Sequence, residues 1–72
     1  MASLVHGMRI ARAYAAKATN PIIGDDPDDI AEAWNAARDE LDLKTGGELT
    51  PRQLDLVADE VLNIWTRQRD VA

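Results

Sequence analysis

Seventy-two residues, no cysteine and a net charge of −5 set the first limits on this chain. A chain of this length forms one domain, here residues 1–72, and buries only about 60% of the surface that its unfolded form exposes. Without cysteine it has neither a disulfide nor a zinc–thiolate cluster. A net acidic chain is also a poor candidate for nucleic-acid binding. Because so small a core provides little stability, we expect association with a partner or as a homo-oligomer.

Charge is distributed unevenly along the chain. Residues 1–23 contain three basic and no acidic residues, whereas residues 24–43 contain eight acidic residues and one basic residue. No apolar stretch reaches the ~18 residues that cross a bilayer, and no secretory signal pattern is visible, so a cytoplasmic location is expected. The acid-free first stretch would also suit a mitochondrial transit peptide, but its removal would delete a third of a minimal core.

The first predicted helix covers residues 3–19. Ser3 is suited to the N-cap position, and Asn20-Pro21 stops the helix because proline disfavours helical geometry in the residue before it. One face repeats apolar residues at helical spacing, and its alanines allow another helix to approach closely: Leu4, Met8, Ala11, Ala15 and Ala18. Ile22-Ile23 follows in the linker, where we expect it to cover the core or an interface.

The second predicted helix covers residues 27–44. Asp26 is its N-cap and Pro27 its first residue, while Gly46 is expected to adopt the left-handed conformation that ends helices. The apolar stripe follows the helical period: Ile30, Ala33, Trp34, Ala37 and Leu41. The opposite, solvated face is polar and mostly acidic: Glu32, Asn35, Asp39 and Asp42.

The third predicted helix covers residues 51–69 and has the most complete start signal. Thr50 and Gln53 form a capping box, and Leu49 with Leu54 is placed to form a hydrophobic staple. The apolar stripe consists of Leu54, Val57, Ala58, Val61 and Trp65. Three helices with short connections predict an all-α, compact three-helix bundle in which neighbouring helices run antiparallel.

The sequence has no recognisable catalytic, cofactor or metal site, so we expect a protein that is not an enzyme. His6 is the single histidine, and Ser3 beside it lacks the scaffolding that nucleophilic catalysis needs. The acidic run from Asp25 fails the spacing of a calcium loop, which requires glycine at the sixth and glutamate at the twelfth position. Helix capping accounts for these carboxylates instead.

Residues that lie off the apolar stripes predict a protein-binding surface. Several large apolar side chains outside the core of so short a chain suggest a second apolar surface, and the acidic helical face is suited to a basic target. The candidate partner-binding residues are Leu56, Leu43, Ile10, Glu32, Asp39 and Asp42. The leading prediction is therefore a small non-enzymatic interaction module: an adaptor, an inhibitor or a regulatory protein.

Two alternatives remain open. A dimeric DNA-associated regulator would use the basic first helix, with Arg9, Arg12 and Lys17 on phosphates, although three charges are few. A small phage or bacterial assembly component would fit the abundance of alanine and arginine, which suggests a GC-rich coding source. Loss of duplex-DNA binding as salt rises would distinguish the first alternative.

Overall fold

The structure, a computed structural model, describes residues 4–21 and 26–71, with side chains up to residue 68. Over these residues the chain forms three helices: α1 (Leu4–Lys17), α2 (Pro27–Lys44) and α3 (Pro51–Val71). α1 and α2 each pack mainly against α3, which confirms the predicted three-helix bundle. Among the described residues, no helix is long and apolar enough to cross a bilayer.

α1 ends two residues earlier than predicted. The amide of Ala18 still donates to the carbonyl of Tyr14 at 2.8 Å, and the chain then leaves the helix. A difference of two residues is within the usual spread of helix-end assignment. Just beyond the helix, the side-chain amide of Asn20 donates to the carbonyl of Trp65 at 2.8 Å and ties the chain to α3. The predicted N-cap Ser3 and the linker pair Ile22-Ile23 lie outside the described residues.

α2 has the predicted bounds, and its caps explain both ends. The Asp26 carboxylate accepts from the Asp28 amide at 2.9 Å, as expected of an N-cap. At the other end, Gly46 has the predicted left-handed conformation, with a φ of 67°. Thr45 completes this end: it is buried, and its hydroxyl donates to the Leu41 carbonyl at 2.8 Å. The Leu41 carbonyl also accepts from the Thr45 amide at 3.0 Å, so the hydroxyl adds a second hydrogen bond there and is itself satisfied inside the core.

α3 begins with the predicted capping box. The Gln53 amide donates to the Thr50 hydroxyl at 3.2 Å, and the Thr50 amide donates to the Gln53 side chain at 2.9 Å. Leu49 and Leu54, the two residues of the predicted staple, are both buried in the core. The helix continues two residues beyond the predicted end, to Val71, because no glycine or proline interrupts it.

The α1–α3 interface is close because α1 contributes small residues. Gly7, Ala11 and Ala15 are its buried positions. A Cβ added at Gly7 would lie 3.0 Å from a methyl carbon of Leu49 and 3.2 Å from one of Val57. The backbones can approach this closely only while these positions carry little or no side chain.

The helix directions follow from contacts on α3. Gly7 lies against Val57, and further along α1 the carbonyl of Ala15 accepts from the Trp65 indole at 3.3 Å, so α1 and α3 run in the same direction. α2 runs the opposite way, because Trp34 meets Asp59 while Arg38, one turn later, meets Asp55.

The two tryptophans, both predicted to lie in the core, differ in burial. Trp65 is 2% exposed and packs against the Tyr14 ring at a centroid distance of 5.9 Å. Trp34 is only half-buried, and its indole N–H donates to the Asp59 carboxylate at 2.8 Å at the edge of the α2–α3 interface. Trp34 thus combines a partly buried ring with a hydrogen bond from its indole N–H, which is typical of tryptophan at the edge of an interface.

Candidate protein-binding surfaces

The outward surface of α2 carries exposed carboxylates along the side opposite its buried residues. Residues spaced i, i+4, i+11 and i+15 share one side of a helix, and here all four are exposed. We call this surface the acidic face; it consists of Asp28, Glu32, Asp39 and Leu43. Leu43 is 77% exposed, so the acidic face also presents a large apolar side chain to solvent.

Neither of the two bases of α2, Arg38 and Lys44, forms an ion pair with the acidic face. Arg38 lies on the side of α2 toward α3, where its guanidinium donates to the Asp55 carboxylate at 2.8 Å. Asp42 follows one turn later on this same side and is therefore half-buried, which corrects its predicted place on the solvated face. Among the residues that the structure describes, no carboxylate of the acidic face forms an ion pair.

Leu56 lies on the exposed side of α3, as predicted, with 41% of its surface exposed. The Arg12 guanidinium lies 3.6 Å from the Glu60 carboxylate and connects α1 to this side of α3. In α3, Leu56 lies one turn before Glu60. In α1, which runs in the same direction as α3, Val5 lies two turns before Arg12. Leu56 and Val5, which is 68% exposed, therefore lie on the same side and toward the same end of the bundle.

A groove lies between α1 and α2, because each packs mainly on α3. Its deeper part is a cavity of about 470 Å³ with Trp65 and Tyr14 among its walls. Asp29 and Glu32 line its α2 side, so the cavity shares Glu32 with the acidic face. The described residues that line it are Tyr14, Thr19, Pro21, Asp29, Glu32, Ala33, Ala36 and Trp65.

The groove continues past Tyr14 into a second cavity of about 360 Å³. Ile10 lines it and is half-buried, so the structure places this predicted partner-binding residue in the groove and not on the outer surface. The charged residues around this cavity are mixed in sign, unlike those of the deeper cavity. The lining consists of Ile10, Ala13, Tyr14, Lys17, Ala18, Glu40 and Lys44.

Tyr14 separates the two cavities. Partial burial of its phenol, and secondarily the negative charge of Glu40, raises the pKa of Tyr14 above its ordinary value of 10.0. Both effects disfavour the phenolate. Tyr14, which is neutral at physiological pH in any case, therefore keeps its proton to a higher pH than an exposed tyrosine does.

The predicted nucleic-acid-binding residues are all exposed but do not form one stripe. Arg9 and Arg12 are neighbours on the outer side of α1, and Arg12 interacts with Glu60 on α3. Lys17 lies toward α2 and lines the second cavity with Glu40 and Lys44. Only two of the three bases therefore share a surface.

The structure reveals features that sequence patterns did not indicate: the groove, the buried Thr45, and the close approach at Gly7. Glycine inside the first predicted helix was the available signal for a close helix contact. The predicted capping role of Asp26 is confirmed. In the described ranges, no group of three or more His, Cys, Asp or Glu residues is arranged to hold a metal ion.

No family model matches the chain, and no curated protein or solved structure was found to be similar to it.

Proposed function

We propose that this chain is a small protein-binding module of the adaptor, inhibitor or regulatory type, which acts by surface contact and not by catalysis. The acidic face of α2 would bind a basic surface of the partner. The observation that carries this proposal is the set of three exposed carboxylates beside Leu43, on a surface whose charge is not balanced by any described base.

Charge and apolar area have separate roles in this proposal. An acidic surface accelerates encounter with a basic partner and gives specificity, while affinity comes largely from apolar anchors. Leu43 supplies such an anchor within the acidic face. Leu56 and Val5 form a second exposed apolar pair on the other side of the bundle, which would suit a second contact or a homo-oligomer.

The test is affinity purification of partners from an extract of the cells in which the protein naturally occurs. The bait is the unmodified chain or one of two variants that have the same net charge as each other. Glu32→Gln with Asp39→Asn removes two negative charges from the acidic face. Ala16→Lys with Asn63→Lys changes the net charge by the same amount at exposed positions of α1 and α3. We expect a defined protein to be retained by the unmodified chain and the control, and lost by the neutralised variant.

Salt provides the second measurement. Retention should weaken as ionic strength rises, because exposed charges are screened beyond about 8–10 Å at physiological salt. A partner retained equally by both variants, or no retained partner at all, would end the proposal for the acidic face. The expected cytoplasmic location is part of this proposal and would be checked by fractionating the same cells.

A further inference from the structure

We infer that the groove between α1 and α2 is the docking site for an amphipathic helix of a partner protein, with an apolar side chain of that helix in the 470 Å³ cavity and its basic end over Asp29 and Glu32. The inference rests on the proposed function, because Glu32 belongs both to this cavity and to the acidic face. It adds a specific pocket, a class of ligand and an orientation.

The cavity has the composition of an anchor pocket. Half-buried Tyr14 and exposed Ala36 and Pro21 offer accessible apolar surface, with the nearly covered Trp65 and Ala33 behind them. The 470 Å³ volume lies within the roughly 300–1,000 Å³ range of binding pockets. It lies along an open groove between two helices, which is how an amphipathic helix is usually received. Small residues on both sides, such as Ala36 on α2 and Ala13 on α1, leave room for a helix to approach.

Charge identifies the occupant and its orientation. Among the described residues, the lining of the deep cavity has two acidic and no basic residues, whereas the second cavity has Lys17 and Lys44 with one acid, Glu40. A complementary helix therefore carries bases over Asp29 and Glu32 and acids near the two lysines. Natural helices favour acids at the N-terminus and bases at the C-terminus, so the bound helix runs parallel to α1.

The groove also sets the length of the occupant. Its α2 wall extends from Asp29 to Lys44, which at 1.5 Å per residue is about 22 Å. A bound helix of about four turns covers this distance. Such a helix would complete a four-helix arrangement by packing between α1 and α2, the pair of helices with the least mutual contact.

Two synthetic peptides of identical composition test the orientation. Each has about four helical turns and an Ala-rich sequence with a leucine stripe; one has glutamates at the N-terminus and lysines at the C-terminus, and the other has these charges exchanged. Neither contains tryptophan. Trp34→Phe leaves Trp65, which lines the cavity, as the only fluorescent indole of the protein. Trp65 emission then reports binding, and circular dichroism checks that the variant remains folded.

We expect the first peptide to change Trp65 emission saturably and the exchanged peptide to bind about tenfold or more weakly at low salt, with a smaller difference at high salt. Ala36→Leu fills the cavity from an exposed position and should weaken binding about tenfold or more, because it excludes the anchor side chain. Ala31→Leu is the matched control: it lies on the same helix, is exposed and does not line the groove, so binding should be unchanged.

Several outcomes would overturn the inference. The first is that neither peptide changes Trp65 emission saturably. The second is that the two peptides bind equally well, and the third is that Ala36→Leu and Ala31→Leu have equal effects on peptide binding. A red shift of Trp65 emission in the free protein on Ile22→Ser with Ile23→Ser would mean that the chain's own linker occupies the cavity, and would overturn it too.

The failure of this inference is distinguishable from that of the proposed function. If the cellular partner is lost on neutralising Asp39 but retained by Ala36→Leu, the acidic face binds and the groove does not. If no cellular partner is retained, the proposed function fails, while the peptide titration still decides whether the groove accepts a basic helix.

Discussion

The interfaces that α3 forms with α1 and with α2 are closely packed, whereas the interface between α1 and α2 is open. α1 and α3 are held close by small residues at Gly7, Ala11 and Ala15, and α2 and α3 enclose Leu41 with polar contacts at the edge. Between α1 and α2 there is little contact and an open groove. The comparison indicates that α1 and α2 are held together mainly through α3, which leaves the side between them open.

The largest expected loss of stability comes from a substitution in the closed interface between α2 and α3. Leu41→Ala should lower the free energy of unfolding by about 2–5 kcal/mol, because Leu41 is fully buried and its loss leaves a cavity. For a domain of this size that loss approaches the whole stability. Urea unfolding followed by circular dichroism measures it.

Leu43→Ala provides the control, since it makes the same chemical change two residues away at a side chain that is 77% exposed. It should alter stability by no more than about 0.5 kcal/mol. Similar losses for the two variants would mean that the register assigned to α2 is wrong.

A smaller loss is expected on the closed α1–α3 side. Gly7→Leu should destabilise the chain by about 1–3 kcal/mol, because the added side chain must displace Leu49 and Val57 from their present contacts. Thermal unfolding compares it with Ala16→Leu, an exposed substitution on the same helix that should have little effect. If Gly7→Leu were as stable as Ala16→Leu, the two helices would be further apart than described.

The smallest expected effect on stability comes from Tyr14, in the open groove between α1 and α2, and appears only at high pH. Because the pKa of Tyr14 is raised in the folded protein, the folded state binds this proton more tightly than the unfolded state does. The resulting stability is complete below pH 10.0 and is lost as pH rises through the folded pKa. Ultraviolet difference absorbance measures the ionisation directly, since Tyr14 is the only tyrosine.

Glu40→Gln should move the pKa of Tyr14 only part of the way back, because burial is the larger cause and is unchanged. A bound peptide in the groove should raise the pKa of Tyr14 further, since it excludes water from the phenol. A pKa at the ordinary value in the free protein would contradict the partial burial of Tyr14.

Much of the fold could be predicted because its signals are local. The cap at Asp26, the box of Thr50 with Gln53 and the bounds of α2 depend on neighbouring residues and are all confirmed. Helical periodicity also placed Leu43 and Leu56 outside the core, and their exposure is confirmed. Their role in partner binding stays a prediction, because exposure alone does not identify a partner.

The errors arose where distant parts of the chain decide the outcome. The contact of Asn20 with Trp65 joins residues 45 positions apart, and the position of Asp42 depends on the direction in which α3 lies. The groove likewise depends on how three helices are arranged around one another. Periodicity identifies the apolar side of each helix but not which pair of helices remains apart.

The contacts that hold α1 have a consequence for the order of folding. The hydrogen bonds from Asn20 to Trp65 and from Trp65 to Ala15 span 45 and 50 residues, whereas that from Arg38 to Asp55 spans 17. Closing the longer loop costs about 1 kcal/mol more chain entropy, so we expect the α2–α3 hairpin to form first and α1 to dock on it afterward. Because one wall of the groove belongs to α1, the groove is assembled only in this last step.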